Sequence, residues 1–353
     1  MLDVLGANGG LEVGLVVTHA CNLACAYCYT GEKKRVRMTH ETARRAVDLG
    51  FGAVGPSGRL QITFFGGEPL LEHELVLAIA QEARERSPNV VLQMTTNGTL
   101  LDAALLAELR RARVHLALSI DGTRKAHEAN RPLAGGGKSY DAVLRALDLL
   151  LASGSVFDVI MVVDPSNIDD LPDGVRELCD RGVESITLNM NWGGEWSEAS
   201  LATFEEKLEE VAAIFIAWLR RGRFVRIEPL TSAVQAVADG ASIGSVRCDA
   251  GTRRIAVAPS GRLYPCPRAV GEDTGVSAIG HLDHGFALGK TRAEGRCHCA
   301  AVEETGSANA IGPVQRRHDA VSEALAKRVL GVMRAEWSSV HVIEQGASDA
   351  IPY

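Results

Sequence analysis

Three closely spaced cysteines are the residues of this chain best suited to chemistry. Cys21, Cys25 and Cys28 form a CxxxCxxC triplet directly after a run of apolar and β-branched residues. Three thiolates can hold three irons of a [4Fe–4S] cluster, whereas a cluster that only carries electrons usually takes four cysteines. The triplet therefore predicts a cluster whose fourth iron is open to a substrate or cofactor.

Other interpretations of these cysteines are open at this point. Cys25-Ala-Tyr-Cys28 alone is also typical of a thioredoxin-like redox pair or of half a zinc site. Cys21 precedes this pair at a spacing of one helical turn and no histidine follows closely, which favours the cluster. A structural zinc site is the remaining alternative.

Four later motifs follow the triplet in order and carry a family resemblance. They are Gly66-Gly67-Glu68-Pro69, Thr95-Thr96-Asn97-Gly98, Ser119-Ile120-Asp121-Gly122 and Arg131. Together with the triplet they resemble the radical SAM superfamily, and more narrowly its branch of SPASM/Twitch peptide maturases and anaerobic sulfatase-maturating enzymes. The resemblance covers residues 11–300 approximately.

The resemblance implies the cofactors and the reaction. Cys21, Cys25 and Cys28 would ligate three irons, and the amino and carboxylate groups of S-adenosylmethionine would bind the fourth. An electron from the reduced cluster then cleaves the sulfonium to a 5′-deoxyadenosyl radical, which abstracts hydrogen from a substrate. The hard chemistry belongs to the cofactor, and the protein positions and shields it.

The same resemblance implies a set of residues around S-adenosylmethionine. The set is Tyr27, Gly66, Gly67, Glu68, Asn97, Ser119 and Arg131. The two glycines would let the backbone approach the methionine moiety, and Glu68 would lie near its ammonium group.

The remaining members of the set would contact other parts of the cofactor. Ser119 would contact the ribose, Tyr27 the adenine, and Arg131 the methionyl carboxylate, because a guanidinium fork suits two oxygens. Alternatives are a surface ion pair for Arg131, simple packing for Tyr27 and a turn cap for Asn97. No residue is assigned as a catalytic acid or base.

A second cysteine set lies near the C-terminus and resembles a Twitch module, which carries one auxiliary [4Fe–4S] cluster. Its members are Cys248, Cys266, Cys297 and Cys299. The Cys-His-Cys ending departs from the commoner C-x2-C spacing, which puts the exact ligation in doubt. A structural zinc site and three-cysteine ligation with an open iron are the alternatives.

The stretches between the motifs predict the elements that position them. Short apolar strands are predicted at Leu11–Val17, Leu60–Phe65, Val90–Thr96, Val114–Ile120, Phe157–Val163 and Glu184–Met190. Amphipathic helices are predicted near 39–53, 71–87, 100–112, 138–153, 167–181 and 199–222. Six βα units predict an α/β fold with a parallel sheet, and the resemblance implies a partial (β/α)6 barrel.

The alternation of predicted strands and helices ends after residue 225. Pro259-Ser260-Gly261 predicts a tight hairpin, and a helix is predicted from Pro313 to Trp337. We therefore expect a radical SAM partial barrel over 1–225, a Twitch-like module over 226–311, and a terminal helix and tail over 312–353. Cys21, Gly66, Asn97 and Asp121 follow the first four predicted strands, so we expect the motifs to converge at the carboxyl ends of the sheet.

Composition excludes several classes of function. The chain has 353 residues and a net charge of −7, which argues against nucleic acid as a partner. The basic run Lys33–Arg37 is predicted to be a solvated face, and the alternative is a dock for an acidic leader peptide or an electron donor. No signal peptide or membrane span is recognisable, and eight cysteines without secretory features predict a reducing cytoplasm.

These observations predict a radical SAM oxidoreductase, with a ribosomally made precursor peptide as the leading substrate. The alternatives are a small-molecule radical SAM dehydrogenase, a sulfatase-maturating enzyme and a non-enzymatic iron–sulfur scaffold. The expected partners are the substrate and an external electron donor such as flavodoxin or ferredoxin. Only twenty residues precede Cys21, so a peptide-recognition domain is expected to be a separate protein or to be unnecessary.

Overall fold

A computed structural model describes residues 10–241, 249–286 and 312–336 of the chain. Cys248, Cys297 and Cys299, three of the four cysteines of the predicted Twitch module, lie outside the described residues.

The chain divides into two compact units. The first unit comprises Met1–Ser119, Arg131–Phe157 and Asp249–Arg292. The second unit comprises Ile120–Asn130, Asp158–Cys248 and Ala293–Tyr353. The segment boundaries predicted after residues 225 and 311 rest on the sequence motifs and stay a prediction.

The described residues form a mixed α/β structure. Its strands are β1 (Gly10–Thr18), β2 (Arg59–Gly66), β3 (Val91–Thr96), β4 (Val114–Ser119), β5 (Phe157–Val163), β6 (Ser185–Met190), β7 (Arg226–Glu228), β8 (Arg254–Val257), β9 (Arg262–Tyr264), β10 (Gly280–His281) and β11 (Gly285–Phe286). Its α-helices are α1 (His40–Val54), α2 (His73–Arg86), α3 (Ala103–Arg111), α4 (Arg124–Asn130), α5 (Tyr140–Ala152), α6 (Leu171–Arg181), α7 (Glu198–Arg220), α8 (Leu230–Ala238) and α9 (Pro313–Glu336). Short 3₁₀ helices lie at Pro69–Glu72, Ile168–Asp170 and Pro267–Val270.

Parallel strands make up the centre of the sheet in the first unit. The strands lie in the order β11-β10-β9-β8-β1-β2-β3-β4, and β1 pairs in parallel with both β2 and β8. Strand β1 buries Leu15 on one face and Val16 on the other, as expected for a strand that is covered on both faces. The sheet thus places the carboxyl ends of β1, β2, β3 and β4 at one edge.

Helix α1 shows how local sequence sets the bounds of an element. Its N-cap Thr39 accepts a hydrogen bond from Thr42 N at 3.1 Å, which satisfies one of the free N–H groups of the first turn. The helix ends before Gly55, whose φ of +67° lies in the left-handed region that favours glycine.

The predicted hairpin around Pro259-Ser260-Gly261 is confirmed, because it connects the antiparallel strands β8 and β9. Gly261 adopts a φ of +84° in this turn. The hairpin is part of the same sheet as β1, and Arg254 of β8 forms an ion pair of 2.6 Å with Glu12 of β1. A Cβ atom on Gly14 would lie 2.9 Å from Cγ of Pro267, so the residue after Cys266 packs directly on β1.

The second unit contains the strands β5, β6 and β7, which pair in parallel in this order. Phe157, the first residue of β5, belongs to the first unit. The terminal helix, predicted to Trp337, is observed to Glu336 and packs on α7 and α8. Exposed ion pairs join it to α7, for example Arg317 with Glu205 at 2.5 Å. None of the described helices has the length and apolar character needed to cross a membrane.

Most predicted strands and helices agree with the structure within a few residues. The six predicted strands correspond to β1–β6, and the ends of each differ by at most one residue. The elements α4, β7, α8, β10 and β11 have no counterpart among the predicted elements.

Candidate functional site

The cysteine triplet lies on the loop that follows β1, here called the cysteine loop (residues 19–37). Backbone hydrogen bonds pair its first half with residues 132–134. Ala24 N donates to Pro132 O at 2.8 Å, and Ala134 N donates to Asn22 O at 2.9 Å. The segment after Arg131 therefore holds the part of the loop that carries the first two cysteines.

The glycine pair after β2 packs against the start of the cysteine loop. A Cβ on Gly66 would lie 2.3 Å from Thr18 O, and one on Gly67 would lie 2.2 Å from Ala20 O. Gly67 N donates to Thr18 O at 2.8 Å. A side chain at either position would push the loop away, so both positions require glycine. Their approach to a methionine moiety stays a prediction.

Glu68 joins the loop after β2 to the loop after β3. Its side chain is only 1% exposed. One carboxylate oxygen accepts hydrogen bonds from Leu70 N at 2.9 Å and from the hydroxyl of Thr96 at 2.6 Å, and the other accepts from Asn97 N at 2.7 Å. Burial raises the pKa of Glu68, and the three donors act against this rise. The contact of Glu68 with an ammonium group stays a prediction, because the bonds observed for its carboxylate are internal.

Asn97 links the loop after β3 to the cysteine loop. Its amide nitrogen donates to Asn22 Oδ1 at 2.9 Å and lies 3.9 Å from Cys21 Sγ. Its amide oxygen accepts from Thr99 N at 3.0 Å, which is the turn-capping geometry considered from the sequence. Asn97 therefore both caps its own turn and lies beside the triplet.

The two outer cysteines of the triplet have different surroundings. Cys21 Sγ accepts a hydrogen bond from Leu23 N at 3.4 Å, but burial raises the pKa of this thiol to about 11. Burial also acts to raise the pKa of Cys28, but hydrogen bonds from Lys33 and Thr30 outweigh it and lower the pKa below its ordinary value. Lys33 Nζ lies 2.7 Å from Cys28 Sγ.

The triplet fits an iron–sulfur cluster in the chemistry of its donors. Cys21, Cys25 and Cys28 are unbridged and partly buried on one loop. Among the described residues, no three His, Cys, Asp or Glu side chains are arranged to hold one metal ion. A [4Fe–4S] cluster does not need three side chains around one ion, because each cysteine ligates its own iron.

Arg131 belongs to the first unit and is buried in the structure. Its side chain is 5% exposed, and its guanidinium carbon lies 5.2 Å from the centre of the Tyr27 ring, in a cation–π contact. The alternative of a surface ion pair for Arg131 is therefore wrong. Ser119 ends β4 and is partly buried. The contacts of all three residues with S-adenosylmethionine stay a prediction.

Cys266 is the described member of the second cysteine set. It is 8% exposed, is not in a disulfide, and lies between β9 and the 3₁₀ helix Pro267–Val270. Its role as a ligand of an auxiliary cluster stays a prediction, since the other three cysteines lie outside the described residues.

Residues that follow Cys266 contact the cysteine loop directly. Glu272 accepts hydrogen bonds from Glu32 N at 3.1 Å and from Lys34 Nζ at 3.2 Å. The guanidinium carbon of Arg268 lies 5.2 Å from the centre of the Tyr29 ring. The segment 267–273 therefore holds the second half of the cysteine loop, as residues 132–134 hold the first.

Sequence analysis missed Lys33 and Glu272. The run Lys33–Arg37 was predicted to be solvated, and this is wrong for Lys33, which is partly buried against Cys28. The signal available in the sequence was the position of Lys33, five residues after a predicted ligand. Glu272 had no such signal, because its partners lie about 240 residues away.

Comparisons with known proteins agree with the family resemblance of the sequence. The family model described as the radical SAM superfamily matches residues 15–178. The chain is 29% identical to the PqqA peptide cyclase of Gluconobacter oxydans over 343 residues, which covers 88% of this chain and 92% of that protein. It is 26% identical to the serine-type anaerobic sulfatase-maturating enzyme of Klebsiella aerogenes over 278 residues, which covers 75% of this chain and 67% of that protein. An uncharacterized protein of Methanocaldococcus jannaschii is 30% identical over 185 residues, which covers 52% of this chain and only 63% of the relative, less than two thirds of its length.

Solved structures with the same architecture include anSMEcpe with bound AdoMet, at a TM-score of 0.75 and 16% identity, covering 92% of this chain and 99% of that one. Streptococcus suis SuiB bound to precursor peptide SuiA matches at a TM-score of 0.60 and 14% identity, covering 87% of this chain and 76% of that one. At these identities the likeness establishes the fold, which is an α/β partial barrel. Motifs, family match and fold agree with one another: residues 15–178 match the radical SAM superfamily, and the chain resembles the SPASM/Twitch branch of that superfamily.

Proposed function

We propose that this chain is a radical SAM enzyme that modifies a ribosomally made precursor peptide. The observation that carries the proposal is the cysteine loop, whose three cysteines are not in disulfides and which packs against Gly66-Gly67 on one side and residues 132–134 on the other. The peptide substrate is inferred from the relatives, because the chain aligns with 92% of the length of a PqqA peptide cyclase.

The chain's own residues would hold the cofactors in the following way. Cys21, Cys25 and Cys28 would ligate a [4Fe–4S] cluster, and Arg131 would hold the carboxylate of S-adenosylmethionine. When bound, these groups supply a radical that abstracts hydrogen from the substrate. Asn97 would keep the loop in place beside Cys21, and Glu68 would fix Asn97.

Three further parts of the proposal rest on the sequence. Cys266 would join Cys248, Cys297 and Cys299 in ligating an auxiliary [4Fe–4S] cluster. The electron would come from an external donor such as flavodoxin or ferredoxin, and a separate peptide-recognition protein would deliver the substrate. Free thiols must stay reduced to bind iron, which suits a reducing compartment such as the cytoplasm.

Anaerobic reconstitution tests the proposal. The wild-type protein should bind about eight irons if both clusters are [4Fe–4S]. Replacement of Cys21, Cys25 and Cys28 by Ala should remove about four of them and abolish the formation of 5′-deoxyadenosine. Mass spectrometry of a co-expressed precursor peptide, encoded beside the gene, should show a mass change with the wild type alone.

Cys179→Ala is the matched control for the loss of a thiol. Cys179 is buried in α6, in the second unit, so its replacement should leave the iron content and the cleavage of S-adenosylmethionine unchanged. Cleavage that persists in the triple variant would contradict the proposed function.

A further inference from the structure

Lys33 places a positive charge against a predicted cluster ligand. Its Nζ lies 2.7 Å from Cys28 Sγ and also bonds the hydroxyl of Thr30. That hydroxyl lies 3.3 Å from the same sulfur. The Lys33 side chain is partly buried, so water screens its charge less than it would at an exposed site.

The neighbouring lysine has the same charge but a different position. Lys34 Nζ pairs with Glu272 at 3.2 Å and with Glu32 at 3.5 Å. Its side chain is exposed, and both of its ionic partners are carboxylates. Lys33 and Lys34 are therefore a natural matched pair, of which one member faces the sulfur and the other faces acidic side chains.

We propose that Lys33 is a positioning residue that acts through Cys28 to raise the reduction potential of the cluster at the triplet. This inference rests on the proposed function, because it requires a cluster at Cys21, Cys25 and Cys28. It adds a role for a residue outside the predicted ligands and the predicted contacts of S-adenosylmethionine.

The direction of the effect follows from the charge balance of the reduction. A one-electron donor, such as a reduced flavin or iron–sulfur protein, takes a [4Fe–4S] cluster from the 2+ to the 1+ state with no bond formed or broken. The centre then carries one more negative charge. A fixed ammonium group beside a ligating sulfur stabilises the reduced state more than the oxidised state. Net charge, hydrogen bonds to sulfur and solvent exposure are the factors that set such potentials.

An EPR-monitored redox titration of the reconstituted protein, without S-adenosylmethionine or substrate, tests this role. The variants are Lys33→Met, Lys33→Gln and Lys33→Arg, with Lys34→Met as the control. Lys33→Met and Lys33→Gln should lower the equilibrium constant for reduction by about tenfold, which is 59 mV for a one-electron couple. Lys33→Arg keeps the charge, so its equilibrium constant for reduction should stay within about twofold of the wild-type value. The same is expected of Lys34→Met.

The variants separate the possible outcomes. A Lys33→Gln protein with the wild-type potential would overturn the proposal, and so would a Lys34→Met protein whose potential falls by the same amount. If Lys33→Arg is the only Lys33 variant that binds iron, Lys33 is needed for assembly of the cluster and does not tune its potential. That outcome also overturns the proposal. A wild-type protein that binds no iron at the triplet contradicts the proposed function instead.

Discussion

Cys21 and Cys28 occupy opposite electrostatic surroundings although they belong to one short loop. Burial dominates at Cys21, where the pKa is raised to about 11. At Cys28 the ammonium of Lys33 and the hydroxyl of Thr30 lower the pKa. A lower pKa means a larger thiolate fraction at neutral pH, and the thiolate is the form that reacts with electrophiles and binds metals.

The metal-free protein should therefore show unequal reactivity of the two thiols. We expect iodoacetamide to alkylate Cys28 faster than Cys21 at pH 7–8. The Cys21 rate should rise about tenfold per pH unit until the pH approaches its pKa of about 11. Peptide mapping by mass spectrometry measures both rates in one sample, and Lys33→Met should slow the alkylation of Cys28 more than that of Cys21, because Lys33 bonds only the Cys28 sulfur directly. Equal rates at Cys21 and Cys28 across this pH range would show that Lys33 does not act on Cys28.

Single residues also mark the limit of what the sequence could predict at the site. The cysteines were found from their spacing, because ligand spacing is local information. The internal bonds of Glu68 were not, since two of its three donors, Thr96 and Asn97, come from the next strand and its loop. The sequence predicts that the Glu68 carboxylate contacts a cofactor. In the structure the same carboxylate links two loops.

At the level of elements, the turn at Gly31 depends on the segment that follows Cys266. Gly31 has a φ of +69°, and a Cβ there would lie 2.5 Å from Cγ of Glu272. An added methyl group would displace the Glu272 side chain and with it the bonds to Glu32 N and Lys34. The conformation and the contact therefore both select glycine.

Gly31→Ala should loosen the cysteine loop. We expect it to lower the free energy of unfolding by about 1–2 kcal/mol and to increase hydrogen exchange of the amides in 29–34. Gly136→Ala is the matched control, because Gly136 has a φ of +84° but no atom within 4 Å of an added Cβ. Hydrogen exchange in 29–34 that is the same in the two variants would contradict a clash with Glu272.

The strands that were predicted from apolar runs are long, and the strands that were missed are short. Strands β1–β6 have six or more residues each, whereas β7 has three, and β10 and β11 have two. A strand of two or three residues has too few positions to show an alternating pattern. Its pairing partners decide its conformation, and those are known only from the fold.

Across the whole molecule, burial and not surface charge is expected to stabilise the terminal helix of the second unit. Leu325 of α9 is buried, and Arg328 on the same helix forms an exposed ion pair of 3.2 Å with Glu209 of α7. Exposed pairs contribute little because water and salt screen them. The apolar face of α9 should thus carry most of its binding energy.

Leu325→Ala should lower the free energy of unfolding by about 2–5 kcal/mol, and Arg328→Ala by less than about 1 kcal/mol. Urea denaturation followed by tryptophan fluorescence measures both, since the four tryptophans belong to segments of the second unit. A larger loss in the Arg328 variant would mean that the ion pairs, and not the apolar face, hold α9.

The pairing of β8 with β1 has a consequence for the solubility of the first unit. Strand β1 is hydrogen-bonded to β2 on one side and to β8 on the other, so the β8–β9 hairpin, which Cys266 follows, covers what would otherwise be an edge strand. Without that hairpin, a row of free N–H and C=O groups on a strongly apolar strand would be open to pairing with another chain. The segment predicted to bind an auxiliary cluster therefore also protects the sheet against aggregation.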